Sequence, residues 1–151
     1  MESGGFQFEQ EFIESLRCIP MLVRMKLDTC GVKLKLTHWH RFSRTERRTL
    51  VTMPCDTPDT IVAYRQHLQG LVTHYTGQPA KEMEVPDHSP WLETAVPESV
   101  KHQATVHRLE ISTDAWRGLT PAQRFALIKL SRPSHENRNF MPALQEFGLA
   151  D

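Results

Sequence analysis

Residues 39–51 read WHRFSRTERRTLV and residues 116–128 read WRGLTPAQRFALI. The strings align at a single offset, since 116 minus 39 is 77. Trp39 falls on Trp116, Phe42 on Leu119, Ser43 on Thr120, Glu46 on Gln123, Arg47 on Arg124, Leu50 on Leu127 and Val51 on Ile128. The same offset carries Pro20 to Pro97, Val23 to Val100 and Arg24 to Lys101. Ser or Thr followed three residues later by Glu or Gln is the spacing of a capping box, so each string announces the start of a helix. Capping grammar recurs in any helical protein and accounts for part of the match. It does not account for the tryptophan four residues before each cap, the arginine four residues after it, or the shared proline starts. The expected fold is all-α: a single compact helical domain over residues 1–151. Within it, residues 20–54 and 97–131 are candidate internal repeats, two diverged helical units related by a pseudo-two-fold axis.

Working outward, local signals extend the helical pattern. Phe8, Phe12 and Leu16, spaced by four, predict a first helix over residues 10–18. Pro20 opens a second, which Gly31 can close. The alternation over residues 32–36 predicts a short extended segment, and Thr37 is expected to cap a turn carrying Trp39 and Phe42. Ser43 opens a helix that Pro54 ends. Thr57 and Pro58 begin the longest helix, with Ile61, Tyr64, Leu68, Leu71 and Tyr75 on one stripe and Gly77 as its stop. Residues 78–96 form a proline-rich connector, either a linker or an ordered surface wrap. Beyond it, residues 125–130 (FALIKL) are apolar almost all round, as a central buried helix requires.

Composition excludes several functional classes. Eighteen basic residues balance eighteen acidic ones, so no global field attracts nucleic acid or an anionic membrane. No apolar run is long enough to span a bilayer, and the acidic N-terminus lacks the hydrophobic stretch of a signal peptide. A cytoplasmic location is the default expectation. Lys33, Lys35, Arg41, Arg44, Arg47 and Arg48 surround Trp39 and His40, a pattern that suits nucleic acid but that a solvated helix face explains more simply. Nucleic acid is therefore not an expected partner.

Catalytic grammar is missing: the chain has no G-x-S-x-G, H-E-x-x-H, Walker A or G-x-G-x-x-G motif. No catalytic residue and no cofactor is expected. Cys18, Cys30 and Cys55 are odd in number and widely spaced, which argues against a disulfide framework or a zinc knuckle. They remain weak candidates for thiolate ligation of a metal. His38 and His40 could add imidazoles, though no spacing closes a four-ligand set.

Two stretches are candidate binding surfaces. In the first, Arg17 and Arg24 flank Pro20, with an Arg24–Asp28 ion pair as the structural alternative for Arg24. The second is IKLSRPSHENRNF, residues 128–140. Ile128 and Leu130 are expected to be buried, Pro133 to end their helix, and Phe140, Leu144 and Phe147 to resume the apolar pattern up to Gly148. Between them Arg132, His135, Glu136, Asn137, Arg138 and Asn139 either cap the flanking helices or bind a partner.

Three longer strings, ESLRCIPMLVRMKLDTCGVKLKL, LVTMPCDTPDTIVAYRQHL and LTPAQRFALIKLSRPSHENRNFMPALQEFGL, resemble a small family described as nitrate-reductase-associated proteins. Its members are encoded in cyanobacteria and some other bacteria near genes of nitrate assimilation and molybdenum-cofactor synthesis. The likeness runs over residues 8–149. Its family-like positions are Arg17, Cys18, Pro20, Arg24, Asp28, Cys30, Pro54, Cys55, Arg132, Pro133, His135, Glu136, Asn137, Arg138 and Asn139. The His38–Trp39–His40 run departs from the pattern, which argues against an imidazole-based function for the family. The resemblance implies an accessory protein that supports production or maintenance of active assimilatory nitrate reductase. Its partner would be the reductase or a molybdenum-cofactor or maturation protein. The alternative is a small protein that handles a metal, an iron-sulfur cluster or the molybdenum cofactor through cysteine thiolates.

Overall fold

The computed structural model describes residues 18–85, 89–132 and 138–150. The chain divides after Pro86 into two compact units, a boundary that falls inside the proline-rich stretch. The described residues hold eight α-helices and one two-stranded sheet, so the protein is mostly helical. The helix expected over residues 10–18 lies outside the described residues, apart from its last position.

In the first unit, α1 (Met21–Cys30), α2 (Leu36–Arg41), α3 (Arg44–Thr52) and α4 (Pro58–Thr76) enclose one core. Pro20 is the extended N-cap of α1, and its carbonyl accepts from the Arg24 amide at 3.0 Å. Gly31 closes α1 in the left-handed region at φ 78, where only glycine sits without a Cβ penalty. The chain then turns into β1 (Val32–Lys33), which pairs antiparallel with β2 (Lys81–Glu82). The extended segment is thus shorter than the alternation suggested. It stops at Lys33, and α2 begins at Leu36, so Thr37 lies inside the helix. Lys35 occupies the cap position, its amide donating to His38 Nδ1 at 3.2 Å. Ser43 and Glu46 form the expected capping box on α3, and Thr57 with Pro58 opens α4, which ends at Gly77. Tyr64, Leu68 and Val72 point from α4 into the core, each fully buried. Residues 78–85 pack back on this unit through β2. Gln69 clamps the Ala80 backbone, accepting from its N–H at 2.7 Å and donating to its carbonyl at 2.8 Å.

In the second unit, α7 (Pro121–Leu130) is the centre, packed by a 3₁₀ turn (Pro90–Leu92), by α5 (Glu98–Val106) and by α8 (Phe140–Glu146), with α6 (Thr113–Arg117) leading into it. Five of its ten residues, Phe125, Ala126, Leu127, Ile128 and Leu130, are buried, as the apolar run predicted. Each fully buried large apolar side chain contributes roughly 1.5–3 kcal/mol over an exposed one. Trp91 meets Phe125 edge-on with ring centroids 5.0 Å apart.

Residues 77 apart do the same work in the two units. Trp39 and Trp116 are both fully buried, as are Val23 with Val100 and Leu50 with Leu127. Arg47 Nε donates to the Trp39 carbonyl at 3.0 Å and Nη2 to that of His40 at 3.0 Å. Arg124 Nε donates to the Trp116 carbonyl at 3.1 Å and Nη2 to that of Arg117 at 3.0 Å. Pro97 caps α5 with φ −63, against −64 at Pro20. Even the left-handed position recurs: Gly31 corresponds to Arg108, the sole positive-φ non-glycine among the described residues, at φ 60.

Candidate functional site

The polar segment after α7 begins as expected. Ile128 and Leu130 are buried, and the helix ends at Leu130 with Ser131 as its cap; Pro133, expected to end it, lies outside the described residues. Ser131, which the sequence did not single out, is buried. Its hydroxyl donates to the Ile128 carbonyl at 2.7 Å and pairs with Ser99 Oγ at 3.1 Å, fixing the exit of α7 on α5. Arg132 and Arg138 are exposed, and Asn139 is half-buried as the N-cap of α8. Gly148, at φ 79, stands just past α8, where the Leu149 amide reaches the Leu144 carbonyl at 2.9 Å. His135, Glu136, Asn137 and Arg17 lie outside the described residues.

Arg24 is half-buried and its Nε donates to the Ile19 carbonyl at 3.0 Å, so its guanidinium helps to seat the chain that enters α1. The basic turn at residues 33–48 loses the aromatic that a nucleic-acid surface needs. Trp39 is fully buried and the Arg47 guanidinium stacks over it, 5.9 Å from the ring. In the second unit an open cleft of about 500 Å³ is lined by Lys101, Thr105, Arg108, Leu109, Glu110 and Ile111. Charges of both signs at its rim give it no selectivity for an anion.

The cysteines separate. Cys18 is half-buried, whereas Cys30 and Cys55 are buried in the first unit's core, their Sγ atoms on the neighbouring carbonyls of Leu27 at 3.8 Å and Lys26 at 3.7 Å. The neighbouring Cys55 thiol holds Cys30 below the ordinary thiol range, and the Cys30 sulfur together with burial pushes Cys55 up. Lys26 was not foreseen here: its Nζ donates to the carbonyls of Val51 at 2.6 Å and Met53 at 2.7 Å and stands 5.7 Å from the Tyr64 ring centre. Burial lowers its pKa, opposed by the attraction of Cys55 and Asp56. Nothing in the local spacing signals this cluster, because it joins residues 26, 30, 55, 64 and 65 through tertiary packing. Among the described residues, no group of three or more His, Cys, Asp and Glu side chains is arranged to hold a metal ion.

A family model described as conserved nitrate reductase-associated protein matches residues 5–147. The chain belongs to that family. No curated protein and no solved structure matches it. Membership covers both units, so the paired tryptophans, the dithiol and the arginines after α7 all fall within the family's span. Among the described residues, no helix is long and apolar enough to cross a membrane.

Proposed function

We propose that this protein is a non-enzymatic accessory factor of the cytoplasm that supports production or maintenance of active assimilatory nitrate reductase. It would act through contact with the reductase or with a molybdenum-cofactor maturation protein. Membership of the nitrate reductase-associated family is the observation that carries this reading. The contact surface is the rim after α7: Arg132, Arg138 and Asn139, with His135, Glu136 and Asn137 between them. Exposure of both arginines supports it, because two guanidinium forks on rigid helix ends suit a carboxylate-bearing partner. The test is co-purification from nitrate-grown cells, comparing the parent with the Arg132→Ala/Arg138→Ala variant. The parent is expected to retain reductase or a maturation protein and the variant to lose it. Full nitrate reductase activity in a strain lacking the gene would remove the proposal.

The second reading, thiolate handling of a metal, an iron-sulfur cluster or the molybdenum cofactor, draws on the placement of Cys30 and Cys55 on successive carbonyls of α1. Elemental analysis and an absorbance spectrum of anaerobically purified protein decide it. Absence of bound metal together with inert thiols would eliminate it.

We also propose that residues 20–54 and 97–131 are diverged copies of one helical unit. The repeated arginine-to-tryptophan carbonyl bonds, the proline caps and the left-handed position at Gly31 and Arg108 support this descent.

A further inference from the structure

Two buried cysteines are most simply small apolar residues that fill a core. Three observations set Cys30 and Cys55 apart from that account. Their sulfurs share one region: Cys55 Sγ lies 3.7 Å from the Lys26 carbonyl and Cys30 Sγ 3.8 Å from the Leu27 carbonyl, two successive carbonyls of α1 in the same buried core. Their backbone supports differ, since Cys30 ends a helix while Cys55 sits in the loop between α3 and α4, and a loop can shift to meet disulfide geometry. Their surroundings are cationic. The Lys26 ammonium is anchored beside Cys55 on two carbonyls, and Arg65 Nη1 donates to the Cys30 carbonyl at 3.2 Å. An apolar filler has no use for a half-buried ammonium, whereas a thiolate is stabilised by one.

We propose that Cys30 and Cys55 are a redox-active dithiol that a peroxide converts to an intramolecular disulfide, tying the end of α1 to the α3–α4 loop. Cys55, 8% exposed against 1% for Cys30, is the sulfur that a molecule of peroxide size reaches. With the pair singly ionised, a proton passes from Cys55 to Cys30, and the Cys55 thiolate attacks one peroxide oxygen. The O–O bond breaks, the sulfur becomes a sulfenic acid, and the departing hydroxide takes a proton from solvent to become water. Cys30 sulfur then attacks the sulfenic sulfur, its proton joins the leaving hydroxide as a second water, and the S–S bond forms. Two thiols are oxidised and one peroxide is reduced to two waters. The new crosslink restrains the unfolded chain and raises the melting temperature.

The test uses the full chain, reduced with dithiothreitol, desalted and exposed to a modest excess of hydrogen peroxide, then alkylated in denaturant for mass spectrometry. The expected product has lost two hydrogens, retains one alkylatable thiol at Cys18 and yields a linked Cys30–Cys55 peptide. It melts several degrees higher, and dithiothreitol reverses the change. The Cys18→Ser variant should form the same link. Three alkylatable thiols after treatment, a link that involves Cys18, or separate sulfinic acids at Cys30 and Cys55 would each overturn the proposal. None of these readouts requires nitrate reductase, so failure here leaves the accessory role standing.

Discussion

Gly31 and Arg108, 77 residues apart, both lie in the left-handed region, with opposite consequences. A Cβ on Gly31 would lie 2.7 Å from the Met83 carbonyl oxygen, a backbone atom that is itself held by the Met83 amide bond to Gly31 at 2.8 Å. Gly31→Ala should therefore cost about 2–4 kcal/mol by thermal or urea unfolding, since conformational strain and a backbone clash add. Arg108→Gly should instead change stability by about 0–1 kcal/mol in the favourable direction, because relief of the φ 60 strain is partly offset by the entropy of an unfolded glycine. Glu46 carries the pH dependence at this scale. Its Oε1 accepts from the Ser43 amide at 2.7 Å and from Tyr75 Oη at 2.8 Å, and the backbone bond above all holds the carboxyl below its ordinary value of 4.5. The folded pKa is lower than the unfolded one, so the contribution is complete above about 4.5 and is lost as the pH falls through the folded value. Glu46→Gln keeps the cap, as Gln123 does on α7, and should flatten the acid limb of a melting-temperature profile. An unchanged acid limb would show that other carboxylates set it.

At the scale of elements, one arginine ties each short helix to the next. Arg124 donates to the carbonyls of Trp91, Trp116 and Arg117 at 3.1, 3.1 and 3.0 Å, closing the C-terminal end of α6 while gripping the 3₁₀ turn. A lysine ammonium cannot reproduce that fork, so Arg124→Lys should cost about 2–4 kcal/mol in unfolding experiments, well above an exposed substitution. Equivalence of the two α-helical starts makes a stronger demand. Replacing residues 43–47 (SRTER) with TPAQR, the sequence of residues 120–124, should leave the circular dichroism helical and stability within about 2 kcal/mol of the parent. A chimera that fails to fold would count against common descent of the units. The capping residues were legible because Ser, Thr, Glu and Gln act on amides three residues away, inside the window that a sequence displays. Lys35 as the cap of α2 was not, because its closing bond comes from the His38 ring rather than from a standard capping side chain.

For the whole molecule, the division after Pro86 gives each unit its own tryptophan-centred interior. Surface arginines then contribute little to either core. The Arg132→Ala/Arg138→Ala variant should melt within about 1 kcal/mol of the parent, because both side chains are exposed, yet fail to retain its partner in the co-purification. A sharp drop in melting temperature would assign these arginines to capping the segment between α7 and α8.

Sequence alone determined what depends on neighbours within about one helical turn: the proline starts of α1 and α5, the boxes at Ser43 and Thr120, the glycine stops, and the apolar run that buries α7. Those features obey local sterics and hydrogen bonding, and burial follows from a helix with no polar face. Only the tertiary structure decided that Arg47 and Arg124 close on tryptophan carbonyls eight residues back. It alone showed that Trp39 faces the core instead of a ligand, and that Cys30 and Cys55 meet beside Lys26. The thiols are 25 residues apart, since 55 minus 30 is 25, and no periodicity relates them. They meet because burying the apolar faces of α1, α3 and α4 in one core carries the end of one helix to the loop between the other two.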